Sequence, residues 1–589
     1  MWAFIRTFFA TLLALITFVV LLFLLFALAL SGLQKKDITP VADKTILKLN
    51  FDSPILEREY DNPFEDINLP ISAPSHMGLI EIRETIKTAG RDENIKGIYL
   101  NVTSLQAGIA TIEEIRKSLI DFKATGKFIY AYSEVFSEGA YYLASVADSI
   151  YLNPSGLLEL NGLESEITFF KGTLEKLDLK PEIFKVGNYK SAVEPLFLDK
   201  MSPANREQTL SFLQSIQNTL YNNISVSRKI PIEKLNLISD SMLIRKATDG
   251  VKYGLVDRVA YYDEVEDMMK RKLELDSTEE IKFIGYRKYA DKRSTDDEDD
   301  KRVSSKNKIA VIIAQGDIQS GRGDEETIGS DKITEELRKA RNDKDVKAIV
   351  LRINSPGGSS MASDVMWREV LLASKEKPVI ASMGDVAASG GYYMAMAAHK
   401  IVAQPNTITG SIGVFGVLLN AQDFFKNKLG VTFDGVKTGK FADLGTIARP
   451  LTEYEKKVIQ KEVEDIYTDF VQKAANGRHR NFNDIDKVAS GRVWTGQQAK
   501  EIGLVDELGD FNKAVELAAN EAKLGTDYEI EYRPKQRDFF DRLMNDADDK
   551  IEALFNNSSP TYMLEKTYQQ LVKKYNGIQA RLPFDFKIR

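Results

Sequence analysis

Three short segments hold side chains whose types and spacing could do chemistry: Asn354-Ser355-Pro356-Gly357-Gly358, Thr409-Gly410-Ser411-Ile412-Gly413 and Gly187-Asn188-Tyr189-Lys190-Ser191. Glycines at 357 and 358, at the end of a strand-like run, let backbone N–H groups approach a ligand closely, which suits a developing oxyanion. Ser411, held between glycines after a second strand, has the sharp exposure that a nucleophile needs. A lysine such as Lys190 serves as a base only when neutral, so its ordinary pKa of about 10.4 must be lowered by desolvation.

A repeat singles these segments out. Ile86 to Pro154 lies over Leu337 to Pro405 at a constant offset without a gap, with Ala89 on Ala340, Leu100 on Leu351 and Tyr141-Tyr142 on Tyr392-Tyr393. One inserted residue later, Lys185-Val186-Gly187 falls on Lys437-Thr438-Gly439. One fold was duplicated and fused. The first copy reads Ser104-Leu105-Gln106-Ala107 opposite the glycine pair and Leu160 opposite Ser411, while Lys190 stands opposite Ala442. The copies look complementary: the second gives a serine and an oxyanion loop, the first a lysine.

Two rivals to Ser411 exist. Ser389, in Ala388-Ser389-Gly390-Gly391, stands opposite Glu138 and lies on a turn like the one that carries the serine of Clp protease. A Ser/His/Asp triad would need His76, His399 or His479, the three histidines of the chain, and each sits in a polar, turn-like stretch.

The elements that must position these residues alternate in type. Ile46 to Phe51 and Ile309 to Ile313 open the two halves as strands; Ile333, Leu337 and Ala340 form a helical stripe before the strand at Ala348, and Met361 to Ala373 crosses over to the strand Val379 to Met383. This is an α/β pattern with a largely parallel sheet. The predicted organisation is a membrane anchor at 1–31, a linker at 32–45, the lysine-bearing repeat at 46–290, a charged linker at 291–308, the serine-bearing repeat at 309–535 and a helical extension at 536–589. Phe8 to Leu30 is uncharged and nearly all apolar, roughly 35 Å long as a helix and enough for a hydrocarbon core of about 30 Å. The absence of cysteine excludes disulfides, thiol catalysis and cysteine-type zinc sites, and the net charge of -7 gives no basic face for nucleic acid. No metal or nucleotide cofactor is indicated.

Ser-Pro-Gly-Gly after a strand, Gly-Gly-Tyr-Tyr opening a helix, Thr-Gly-Ser-Ile-Gly and Tyr-Lys-Ser-Ala-Val-Glu-Pro together resemble the long, duplicated form of the signal peptide peptidase A (protease IV) family. The likeness runs from about Ile46 to about Glu531 and includes the anchor in front. It implies a tandem duplication of a crotonase/Clp protease-like domain and a Ser/Lys dyad in which Lys190 is the general base. The attacking serine is the later one, Ser411. It further implies a tetrameric homo-oligomer, single-pass anchoring in the inner membrane with the body outside the cytoplasm, and cleavage of hydrophobic peptides with small side chains at the cut, such as remnant signal peptides. A crotonase-type acyl-CoA enzyme and a noncatalytic membrane scaffold are the alternatives on the same fold.

Overall fold

Runs of β-branched and small apolar residues that are buried on both faces form parallel strands, and amphipathic helices cover them from either side. A computed structural model describes residues 41–59, 76–290, 305–324, 326–535 and 578–582, with 2, 6–15, 17, 18 and 21 near the N terminus. In the first half the strands Thr45–Asn50, Ile95–Asn101, Phe128–Phe136 and Ser149–Leu158 run parallel in that order, flanked by Lys282–Gly285 and Arg258–Val259. In the second half Lys308–Gln315, Val346–Ser355, Val379–Ala388 and then Lys400–Ala403 and Ile408–Gly410 repeat the order, with Glu529–Arg533 beside the first. Helices Ser330–Asn342 and Ser360–Ser374 bury Leu337, Ala340, Met366 and Val370 on one face of that sheet. Helix Phe511–Glu521 packs Phe511, Ala514 and Ala518 on Ile309, Val311 and Val350 on the other. The α/β duplication expected from the repeat is therefore present, and the strand Val379–Ala388 runs five residues past the expected end, up to Ser389.

The halves share a third sheet. Lys180–Lys185 of the first repeat runs antiparallel to Phe415–Asn420 of the second, from Phe415 opposite Lys185 to Asn420 opposite Lys180. Buried charge fastens them as well. Arg352, 2% exposed, gives Nε to Glu57 Oε2 at 2.8 Å and lies 2.9 Å from Glu114 Oε1; Asp385 accepts from Thr111 N at 2.8 Å and Thr111 Oγ1 at 2.5 Å. Both arginine partners belong to the first repeat, so separating the halves would strand a buried cation, a change that typically costs about 3–5 kcal/mol.

Of the apolar run at 8–30, residues 16, 19, 20 and 22–30 lie outside the described residues; 8–15, 17, 18 and 21 are helical, and no described helix is long and apolar enough to cross a membrane. Residues 536–577 and 583–589 of the expected helical extension and 291–304 of the charged linker also lie outside them. The described part of the extension at 536–589 is not helical. Ile578–Arg581 is a strand, inserted between Gly357–Ser359 and Phe415–Asn420 and antiparallel to both.

Candidate active site

Lys190 reaches the second repeat because the strand Lys180–Lys185 delivers it there. Beyond that strand the chain lies along 412–414 and 489–491: Val186 N donates to Val414 O, and Tyr189 N to Ser490 O at 3.1 Å. Gly491 has φ 78°, and a Cβ there would lie 2.6 Å from Lys190 Cβ, so only glycine lets the lysine segment pass. From the other side, Gln208 on the helix Pro203–Arg228 donates to Tyr189 O and Ser191 Oγ, both at 3.0 Å.

The lysine is fully buried. Its polar contacts are Ser389 Oγ at 2.8 Å, Ser411 Oγ at 3.1 Å and Ser411 O at 3.4 Å, and Phe415 lies below the ammonium at 5.9 Å. Burial pushes its pKa well below the ordinary lysine value, and no carboxylate counters that shift. The lowering that a lysine base requires is thus built in.

Lys190 and Ser411 lie within hydrogen-bond reach of each other, but Ser389 lies nearer to the lysine. Ser389 follows the strand Val379–Ala388 and caps the short helix Gly390–Ala395, with φ 55° and ψ −111°, a conformation that L residues rarely adopt. Its N–H is occupied by Gly410 O, and its hydroxyl has one other acceptor, Gly413 O at 3.4 Å. Ser411, with φ 49°, gives its hydroxyl to Gly491 O at 3.2 Å. A neutral amine has two hydrogens and one lone pair. The hydrogens match the two oxygens of Ser411, and the lone pair is left for the hydroxyl proton of Ser389.

The glycine pair carries its expected geometry at one position and a different duty at the other. Gly357 (φ 103°) and Gly358 (φ 155°) both exclude a Cβ, which would lie 2.0 Å from Ala580 O and 2.1 Å from Ile318 O respectively. Gly357 N donates to Ser355 Oγ at 3.2 Å and so is committed. Leu582 N donates to Pro356 O at 2.8 Å, and because bonded pairs alternate along an antiparallel ladder, the next bonded pair is Ala580 with Gly358. The Gly358 N–H therefore faces the Ala580 carbonyl. Gly390, next to Ser389, closes the other side: its Cβ position lies 3.1 Å from the same oxygen. A peptide carbonyl is held here among the backbone groups that an oxyanion would need.

The first copy has none of this. Glu138 stands where Ser389 does, 5% exposed, its carboxylate accepting from Asn161 N and Gly162 N at 3.1 and 3.0 Å; burial raises its pKa, against those bonds. Leu160 is buried in the core. Of the histidines, His399 Nδ1 accepts from Val379 N at the turn between helix and strand, away from either serine. Ser389 was open to discovery from sequence by the test that favoured Ser411, since both positions are lost in the same copy.

The model of peptidase family S49 matches this chain twice, over residues 121–276 and 372–525. Protease 4 of Salmonella typhi is 37% identical over 487 residues, which span 81% of this chain and 77% of that one. A chloroplastic protein of Arabidopsis thaliana named serine protease SPPA is 35% identical over 76% of this chain and 66% of its own. Among solved structures, a point mutant of ClpP1 from Listeria monocytogenes overlaps 35% of the chain at 16% identity with a TM-score of 0.24. With two matched domains and relatives along most of its length, the chain belongs to peptidase family S49 and is a serine peptidase.

Proposed function

We propose that Ser389, rather than Ser411, is the nucleophile, with Lys190 as general base and Ser411 as the group that holds the lysine. One observation carries the assignment: a Cβ on the residue after Ser389 would lie 3.1 Å from a docked peptide carbonyl oxygen, while Ser389 Oγ lies 2.8 Å from a buried lysine. Neutral Lys190 takes the hydroxyl proton as Ser389 attacks the scissile carbonyl, and the Gly358 and Gly390 N–H groups receive the oxyanion. The lysine then returns the proton to the leaving amine. An acyl-enzyme remains, and water activated by the same amine releases it. Labelling by a fluorophosphonate, followed by peptide mapping, tests the choice: the adduct is expected on Ser389, and an adduct on Ser411 overturns it.

The substrates are hydrophobic peptides with small side chains at the cut, as in remnant signal peptides, bound as an added strand between Gly357–Ser359 and Phe415–Asn420. Each repeat is of the crotonase/Clp protease type. The run Phe8 to Leu30 anchors the chain in a membrane, a reading supported by its length and lack of charge; that this is the inner membrane, with the catalytic body outside the cytoplasm, rests on the family likeness alone. Resistance to carbonate extraction and digestion by protease added to spheroplasts are the expected results.

The assembly is a ring of chains, tetrameric by family likeness. The strand pair that joins the repeats has a counterpart at each open end: 164–169 corresponds to Phe415–Asn420, and 432–437 to Lys180–Lys185. Neither segment is a strand in the single chain, and Val431, Phe433 and Val436 are exposed. Pairing 164–169 of one chain with 432–437 of the next covers both ends by a head-to-tail contact that closes into a ring. Phe433→Asp should dissociate the assembly in sedimentation; a monomeric parent protein would overturn this reading.

A further inference from the structure

The strand Ile578–Arg581 is this protein's own peptide, and it lies in the groove as a substrate would. Its hydrogen bonding fixes a register. Gly358 faces the carbonyl of Ala580, a Cβ on Gly390 would lie 3.1 Å from the same oxygen, and Ala580 itself is fully buried, a small side chain in a closed space. The next residue, Arg581, turns to the opposite face of the strand, as alternation requires. There its Nη1 lies 2.8 Å from Asp317 Oδ2, with the arginine side chain 9% exposed and the aspartate 39%. Asp317 opens the short strand Asp317–Gln319, which pairs with the oxyanion strand through Ile318 and Gly358. The carboxylate is thus tied by backbone to the loop that receives the attacked carbonyl.

We propose that Asp317 is a specificity residue: the enzyme selects peptides in which the small residue at the cut is followed at once by a basic side chain. The chain's own Ala580–Arg581 pair is held as such a peptide. This rests on the reading that Ser389 attacks the carbonyl held between Gly358 and Gly390. Hydrolysis at this register splits the bond between the small residue and the basic one, leaving a carboxylate on the first and a free amine on the second. Binding the basic side chain removes most of its surface from water next to a fixed carboxylate, so a charge-assisted bond rather than a screened surface pair decides the preference.

The experiment uses the full chain and three peptides, acetyl-Ile-Gln-Ala-X-Leu-amide with X as Arg, Gln or Glu, and reads kcat/KM together with product masses. The wild type is expected to prefer Arg to Gln by about tenfold, with Glu slowest, and to cut after Ala in each case. In Asp317→Asn the Arg-to-Gln ratio should fall to about one, and in Asp317→Lys the order of Arg and Glu should invert. Each ratio is taken within one protein, so partial misfolding of a variant cancels, and competition from the resident strand cancels too. An Arg-to-Gln ratio unchanged by Asp317→Asn, a wild-type ratio near one, or a cut at another bond overturns the proposal. The nucleophile is tested apart from it: if Ser389→Ala still cuts the peptides with the same preference, the Ser389 assignment falls and the Asp317 assignment stands.

Discussion

Glu138 and Ser389 stand at the same place in two copies of one fold, and the contrast between them explains the division of labour. In the first copy a buried carboxylate bonds the backbone of 161–162 and fills the space where chemistry would occur. In the second, a serine in a strained turn leaves that space to a lysine and a docked strand. What the first copy keeps is the long arm, Lys180–Lys185 and the segment after it, which reaches across to complete its neighbour. A duplicated enzyme needs one working centre, and each copy is then free to become a part of it.

The strongest way to break this comparison is to remove the parts from the working copy. Ser389→Ala and Lys190→Ala should each lower kcat by at least about 10⁴-fold, and Glu138→Ser in either background should restore nothing, because Gln106 and Ala107 carry side chains where the oxyanion loop needs glycine. Peptide hydrolysis and acyl labelling read both halves of the statement. The next effect is that of the loop itself. Gly358→Ala should cost about 10²- to 10³-fold in rate, as losing an oxyanion donor does, while the mirror change Ala107→Gly should leave kcat as it was.

Ser411→Ala sharpens the distinction between the two serines. As the holder of the lysine, Ser411 should cost about ten- to a hundredfold, less than the full contribution of a general base, and its variant should still acylate at Ser389. The pH profile belongs to the same test. Only neutral Lys190 accepts a proton, so the rate should rise with pH through a pKa that burial has lowered from the lysine value and then level off. Replacing His76, His399 and His479 together should not move that limb. Stability follows the same group: folding expels its proton at any pH between the lowered folded pKa and the ordinary unfolded one, so stability rises with pH across that window. Lys190→Met should therefore raise Tm most at the acid end. The smallest effect concerns the resident strand, where deleting 577–589 should raise kcat/KM for short peptides by about three- to tenfold, measured against the parent chain.

Much of the molecule was legible beforehand because it follows from local pattern. The gapless overlay of 86–154 on 337–405 gave the duplication, and alternating apolar runs gave the strands at 308–315 and 346–355 within a few residues. Lys190 was legible because its counterpart is missing from the second copy. The choice between two serines was not, since both lie in glycine-rich turns and both vanish from the first copy; only distance to the lysine and the nearness of Gly390 to a peptide carbonyl separate them. The strand at 578–581 escaped for another reason. Four residues reading Ile-Gln-Ala-Arg are too few to carry a period, and their partners lie far away in sequence.

The joining of the halves through Arg352, Glu57 and Glu114 bears on how such an enzyme can be made safely. A ribosome finishes the lysine 199 residues before it reaches Ser389, an interval of about 10–40 s at about 5–20 residues per second. On the assignment proposed above, the nascent chain during that time carries a base with no nucleophile, and the two acids of the first repeat wait for an arginine still to be translated. Catalytic power appears only when both repeats have folded and met. The strand Ile578–Arg581 emerges after both repeats and lies across the centre they form, so the newborn peptidase meets a peptide of its own before it meets a substrate.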